Sequence, residues 1–176
     1  YMTEKYGNPS SIYSYGRETR MAIESARKSV ARHLHAHPAE IFFTSGGTES
    51  NNTVLNSAVR DLGCRHIITS LIEHHAVTHT VEYLCHSNTV RVSYVNLLPN
   101  GHIDMQHLEK LLSSSPDKTL VSLMHANNEI GNMLDIMAVG NLCKKYKAIF
   151  HSDTVQTVGH FPLSLRDTPV HFITGS

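Results

Sequence analysis

The chain has 176 residues, 40% of them hydrophobic, and its 15 basic side chains balance 15 acidic ones. This length is enough for one domain with a sizeable core, and the balanced charge argues against nucleic acid or a membrane surface as a partner. No apolar run could span a bilayer, no signal-peptide pattern opens the chain, and the three cysteines lack a C-x-x-C spacing, which predicts reduced thiols in a cytoplasmic protein.

Strands and helices alternate along the sequence after a loop-like opening that extends to Tyr15. Helices are predicted at 16–35, 52–61, 75–85, 105–112 and 136–145. Strands are predicted at 41–44, 66–70, 90–97, 119–124, 148–152 and 170–174. This alternation favours βαβ units, and therefore an α/β fold with a mostly parallel central sheet covered by helices on both faces.

The stretch from Ile41 to Asn52 reads as a strand, a Gly-Gly turn and the start of a helix. Glycine lets the backbone come close to a ligand, and Thr48 is placed to cap the helix, whose first N–H groups then point outward. Such a helix terminus suits a phosphate group. The pattern is neither G-x-G-x-x-G nor a Walker A loop, and a connection that needs glycine for geometry alone is the alternative.

Polar residues follow several of the predicted strands. Each has a simple structural interpretation: Asp153 as a helix cap, His74 as a helix-start residue, and Asn127-Asn128 as turn chemistry. In an open α/β sheet, however, ligands bind beyond the carboxyl ends of the strands. With Gln156 and the Gly-Gly turn, these residues predict one edge that suits a ligand with a phosphate, a ring nitrogen and a ring face.

Histidine is abundant, with 14 residues. His33, His35 and His37 alternate around the end of the first predicted helix, where two interpretations are open. They could ligate a metal, or they could be solvated residues that the helix dipole favours at a carboxyl end. Alternation suits a strand more than a helix end, so the second interpretation is preferred.

Four stretches resemble, in order and spacing, the signatures of the cysteine desulfurases. These are class V aminotransferase-like enzymes that use pyridoxal 5′-phosphate (PLP) in the aspartate-aminotransferase fold. The stretches are FTSGGTESN at 43–51, EHHAV at 73–77, MHANNEIG at 124–131 and HSDTVQTVG at 151–159. The resemblance implies a three-layer sandwich, with residues 1–176 as an incomplete, central part of the PLP-binding large domain and the small domain absent.

The resemblance also implies roles for single residues. Gly47 and Thr48 would hold the PLP phosphate, and Asp153 would pair with the pyridine nitrogen and keep it protonated. Gln156 would donate to the phenolic oxygen of the ring. His74 would lie over the ring face and take part in proton transfer.

The last implied contact is that of Asn128 with the substrate carboxylate or a cofactor oxygen. The implied reaction converts L-cysteine to L-alanine, while a mobile cysteine takes the sulphur as a persulfide and passes it to an iron–sulphur scaffold or another acceptor protein. A homodimer is also implied. The lysine that binds PLP is expected just beyond Ser176, and the catalytic cysteine further on, so the chain as given is expected to be inactive.

Rival functions stay open at this stage. A selenocysteine lyase, or another class V PLP enzyme, would share the motifs quoted above. A catalytically dead PLP-fold protein could serve as a binding partner. A histidine-rich metal-binding domain is the weakest rival.

Overall fold

The computed structural model describes residues 7–87 and 90–176. Residues 1–6 of the predicted loop-like opening, which extends to Tyr15, lie outside the described residues. The chain divides into two compact units. One comprises Tyr1–Phe43 with Ser164–Asp167, and the other comprises Thr44–Leu163 with Thr168–Ser176.

Alternating helices and strands make up the described chain, as predicted. The helices are α1 (Ser14–His33), α2 (Gly47–Arg60), α3 (His75–His86), α4 (Met105–Ser113) and α5 (Ile136–Lys145), with a short 3-10 turn at Pro38–Glu40. The strands are β1 (His66–Thr69), β2 (Arg91–Tyr94), β3 (Thr119–Ser122), β4 (Ile149–Asp153) and β5 (Phe172–Thr174).

All strand pairs that the structure describes are parallel, in the order β2-β1-β3-β4-β5. Every residue of β1, β3 and β4 is buried, which is typical of a parallel sheet covered on both faces. The predicted parallel sheet is therefore confirmed. It puts the carboxyl ends of all five described strands at one edge.

Two hydrophobic clusters lie on opposite faces of this sheet. Ile67 of β1 belongs to the cluster that α2 and α3 complete, where it joins Val77. The next residue, Ile68, belongs to the cluster that α4 and α5 complete, where it joins Val139. Successive side chains of a strand point to opposite faces, so the predicted three-layer α/β arrangement is confirmed.

Two predictions around the Gly-Gly turn are wrong. Residues 41–44 form no strand: Phe42 is 81% exposed, and no described strand pairs with this segment. The carbonyl of Ile41 instead accepts a hydrogen bond from the guanidinium of Arg27. Thr48 does not cap α2, because the helix begins at Gly47 and Gly46 is its N-cap.

His37, which follows α1, has a local structural role. His37 Nδ1 accepts the N–H of Ala39, and Glu40 accepts the N–H of His37, so the two residues cap the 3-10 turn. Within residues 7–87 and 90–176, no three His, Cys, Asp or Glu side chains gather as metal ligands. None of the helices in the same ranges is long and apolar enough to cross a membrane.

Candidate functional site

Asp153 ends β4 as a nearly buried carboxylate, with 6% of the residue exposed. Asn51 Nδ2 donates to its Oδ2 at 2.7 Å, and the N–H of Val155 donates to its Oδ1 at 3.0 Å. No helix follows within the described residues 154–176, so Asp153 is not the helix cap of the simpler interpretation. Each carboxylate oxygen accepts one hydrogen bond here and has room for a second.

The first turn of α2 lies against the segment that follows Asp153. A Cβ added at Gly47 would come within 2.8 Å of Val155 Cγ2, so glycine allows this close approach. The first intrahelical bond joins the N–H of Ser50 to the carbonyl of Gly46 at 3.1 Å. The preceding N–H groups, including that of the exposed Thr48, have no partner within the helix and carry its positive end.

His74 is the N-cap of α3, just beyond the carboxyl end of β1. Its Nδ1 accepts the N–H of Ala76 at 3.1 Å, and the side chain is exposed. An accepting Nδ1 bears no proton, so the neutral ring carries its proton on Nε2. The helix-start interpretation of His74 is therefore confirmed, and it leaves Nε2–H free to meet a ligand.

Glu73 is a buried acid beside this histidine. Ser70 Oγ donates to Oε1 at 2.6 Å, whereas Oε2 has no partner among the described residues. Burial, reinforced by the charge of Asp153, raises the pKa of Glu73 to about 8. The carboxyl group lines a cavity of about 180 Å³ together with Asn127 and Met124.

The loop after β3 is ordered by Asn127. Its Oδ1 accepts the N–H groups of Glu129 and Ile130 at 2.8 and 3.0 Å, and its Nδ2 donates to the carbonyl of Ile72 at 2.8 Å. The turn-chemistry interpretation is thus right for Asn127. The neighbouring Asn128 is exposed in the same turn.

The turn after β4 is fixed by a buried pair of side chains. The Thr157 hydroxyl donates to the carbonyl of Thr154 at 3.2 Å and lies 2.9 Å from His125 Nδ1. Burial lowers the pKa of His125, which favours a neutral ring that donates from Nδ1. The exposed Gln156 lies in this turn.

Two buried polar residues of the site were not predicted to take part in it. Asn51 shares the buried face of α2 with Leu55, Ala58 and Val59, and Thr174 donates to Asn51 Oδ1 at 2.7 Å. A polar residue within an apolar helical stripe is a signal that could have identified Asn51. The contact with Thr174 had no signal in the sequence.

Two contacts therefore join the first turns of α2 to the end of β4. Gly47 lies close to Val155, and Asn51 donates to Asp153. His74, Asn128 and Gln156 occupy loops at the same edge of the sheet. A carboxylate, a helix N-terminus and exposed ring and amide groups suit a ligand that combines an anionic group with a polar ring.

Comparisons with known proteins agree with this geometry. The profile of the family described as Aminotransferase class-V matches residues 1–176. The chain is 43% identical over 176 residues to a cysteine desulfurase IscS of Dictyoglomus turgidum, covering 99% of the chain and 44% of that protein. It is 42% identical over 168 residues to a mitochondrial cysteine desulfurase of Drosophila melanogaster, covering 94% of the chain and 36% of that protein.

Solved structures are also similar to this chain over nearly its whole length. A NifS-like protein superimposes with a TM-score of 0.93 at 40% identity, covering 99% of this chain and 48% of the other. A structure described as SspA in complex with cysteine superimposes with a TM-score of 0.89 at 30% identity, covering 99% and 50%. The chain thus spans less than half the length of the curated relatives named above.

Proposed function

Because the chain belongs to the class-V aminotransferase family, we propose that the whole protein is a PLP-dependent cysteine desulfurase that converts L-cysteine to L-alanine. Members of this family are PLP-dependent. Relatives named cysteine desulfurase, and a relative described in complex with cysteine, support the choice of substrate. The observation that carries the proposal is the buried Asp153 carboxylate, held beside the N-terminus of α2.

The residues at the sheet edge fit PLP. Bound PLP supplies a protonated ring that withdraws electrons from the substrate. The acceptor-only carboxylate of Asp153 would hold the ring N–H, and the first turn of α2, with Gly47 and Thr48, would bind the phosphate. Gln156 would donate to the ring oxygen.

Two exposed residues would complete the contacts to the ligand. Asn128 would contact the substrate carboxylate or a cofactor oxygen from the turn that Asn127 orders. His74 would cover the ring face and handle a proton at Nε2, since Nδ1 is occupied by the N–H of Ala76. In this tautomer Nε2–H can donate a proton; to accept one at Nε2, the neutral ring would have to carry its proton on Nδ1 and give up the hydrogen bond from Ala76.

Sulphur transfer would use a thiol of the whole protein. The C–S bond of L-cysteine breaks and an S–S bond forms on the enzyme thiol, so that L-cysteine and a thiol give L-alanine and a persulfide. An acceptor protein, such as one in iron–sulphur cluster assembly, would then take the sulphur.

The assembly and compartment of the whole protein are part of the proposal. Ile12, Tyr13 and Tyr15 expose large apolar surfaces, which supports burial in a homodimer. Sedimentation of the whole protein tests this state. A cytoplasmic location is tested by cell fractionation, since one relative is named mitochondrial.

The decisive experiment measures PLP binding and alanine formation by the whole protein. We expect alanine from L-cysteine, loss of PLP binding in Asp153→Ala, and normal binding in the control Asp117→Ala, whose carboxylate pairs with Arg91 at 3.6 Å. Alanine from L-selenocysteine alone would identify a selenocysteine lyase instead. PLP binding without any alanine would indicate a PLP-fold binding protein and overturn the proposal.

A further inference from the structure

A continuous chain of buried hydrogen bonds runs from β3 to the Asp153 carboxylate. Ser122 Oγ lies 2.9 Å from His151 Nδ1, and His151 Nε2 lies 3.3 Å from Thr174 Oγ1. The Thr174 hydroxyl donates to Asn51 Oδ1 at 2.7 Å, and Asn51 Nδ2 donates to Asp153 Oδ2 at 2.7 Å. All five side chains are buried, and they join three neighbouring strands to α2.

The last group of this chain fixes the direction of every hydrogen bond. An ionised carboxylate only accepts, so the Asn51 amide nitrogen must face Asp153 and its oxygen must face Thr174. The Thr174 hydroxyl therefore donates to Asn51 and accepts from His151 Nε2–H. His151 Nδ1 then has a lone pair, which accepts the hydroxyl of Ser122. Every donor in the chain points towards Asp153.

The histidine in the middle of the chain is neutral. Burial lowers the pKa of His151 to about 3, so its ring is uncharged throughout the physiological range. A neutral ring that carries its proton on Nε2 completes the chain without a buried charge.

We propose that Ser122, His151, Thr174 and Asn51 form a positioning relay, which holds the Asp153 carboxylate so that its free acceptor positions face the ring nitrogen of PLP. The identity of this ligand rests on the proposed function, whereas the hydrogen bonds do not. A set of buried partners behind a binding group fixes its orientation, as outer partners do for metal ligands.

The relay also fixes the distance between the two protein groups that would bind the ends of the ligand. Asn51 lies one helical turn after Gly47 on the same face of α2. Gly47 abuts Val155, and Asn51 bonds Asp153, so two contacts fix the first turn of α2 to the end of β4. The phosphate-binding turn and the ring-binding carboxylate therefore belong to one rigid unit.

The experiment compares PLP binding by Thr174→Val and Thr174→Ser in the whole protein. Valine removes the hydroxyl, and we expect the Kd for PLP to rise about tenfold. With PLP labelled with ¹⁵N in its ring, the nitrogen resonance should also move towards that of unprotonated pyridine. Serine keeps the hydroxyl and should restore both measurements, which loss of packing alone would not explain.

A matched pair of serines controls for the loss of any buried hydrogen bond. Ser122 and Ser93 each place Oγ 2.9 Å from a nitrogen of a buried histidine, His151 and His66 respectively. His66 begins β1, at the edge of the sheet opposite Asp153. We expect Ser122→Ala to raise the Kd for PLP about threefold and Ser93→Ala to leave it unchanged; equal effects would overturn the relay.

The remaining outcomes separate the relay from the proposed function. If Asp153→Ala weakens PLP binding but Thr174→Val does not, the relay is wrong and the proposed function stands. If the unsubstituted protein does not bind PLP, both are overturned. ¹⁵N spectra of His151 provide an independent measurement, because a proton on Nδ1 instead of Nε2 would contradict the relay in any case.

Discussion

Glu73 is an acid whose burial links stability to pH. Its pKa is raised to about 8, mainly by burial and further by the charge of Asp153. Between the ordinary pKa of 4.5 and pH 8, the folded protein holds a proton that the unfolded chain releases. The free energy of unfolding is therefore highest at low pH and falls as the pH rises through this range. We expect Glu73→Gln to gain about 3 kcal/mol relative to the unsubstituted protein between pH 5 and pH 8.

Urea unfolding at several pH values tests this prediction. The quantity to compare is the free energy of unfolding of the variant minus that of the unsubstituted protein, because other titrating groups then cancel. Glu82→Gln is a suitable control, since Glu82 is exposed on α3. A difference for Glu73→Gln that does not vary with pH would show that Glu73 is ionised in the folded protein.

Gly47 gives a prediction about close packing. Its substitution by alanine would put Cβ 2.8 Å from Val155 Cγ2, and such overpacking costs about 1–3 kcal/mol. We expect Gly47→Ala to lower the free energy of unfolding by that amount, and Gly47→Ala/Val155→Ala to recover most of it. Thermal unfolding of the single and double variants measures both. Equal losses in the two would mean that Val155 is not the obstacle.

Single residues show where reasoning from the sequence ends. The positions of Asp153 and His74 at the sheet edge could be predicted, because one lies at the carboxyl end of a strand and the other in the loop that follows a strand. The role of Asn51 could not, because it depends on a contact with Thr174, 123 residues away. The protonation of Glu73 likewise depends on burial by residues from several loops.

His74 gives a prediction at the level of the secondary-structure element. Its Nδ1 caps α3 through the N–H of Ala76, and asparagine is among the best N-cap residues. We expect His74→Asn to keep the stability of the protein but to lose alanine formation. His74→Ala should lose activity and also about 1 kcal/mol of stability.

Measuring both properties for both variants separates the cap from the chemistry. Asp104 is a control for capping alone, since its carboxylate accepts the N–H groups of Gln106 and His107 at the start of α4. Asp104→Ala should lose stability but retain PLP binding. Full activity in His74→Asn would rule out a role for the imidazole ring.

The elements also differ in how far they could be predicted. β3 could be predicted because a continuous apolar run indicates a strand buried on both faces. The strand predicted at 41–44 was wrong, because a strand needs a hydrogen-bonding neighbour and sequence composition does not supply one. α2 begins five residues before the helix predicted at 52–61, since glycine in its first turn weakens the helical pattern.

The whole sheet explains why these residues share one edge. β1 connects through α3 to β2 on one side, whereas β3 and β4 follow on the other side of β1. The strand order thus reverses between β1 and β3, and such a reversal opens a crevice beyond the carboxyl ends of these two strands. Glu73 and His74 follow β1, Asn127 follows β3, and the contact of Asn127 with Ile72 spans the two loops.

The positions of the three cysteines predict that none of their thiols carries the sulphur. Cys64 and Cys143 are buried, and burial raises the pKa of both thiols, that of Cys143 to about 12. The reactive species is the thiolate, so neither is expected to be the nucleophile of the proposed reaction. Cys85 is exposed, but it lies about 16 Å along α3 from His74, at 1.5 Å per residue.

We therefore expect the persulfide on a thiol of the whole protein that is none of these three. After incubation with L-cysteine, peptide mass spectrometry should find no persulfide on Cys64, Cys85 or Cys143, and Cys85→Ser should form alanine at the unsubstituted rate. Alkylation of the native protein provides the control, because the exposed Cys85 should react while the two buried thiols do not. A persulfide on Cys85, together with lost activity in Cys85→Ser, would place the sulphur carrier on α3 and require this helix to move towards the site.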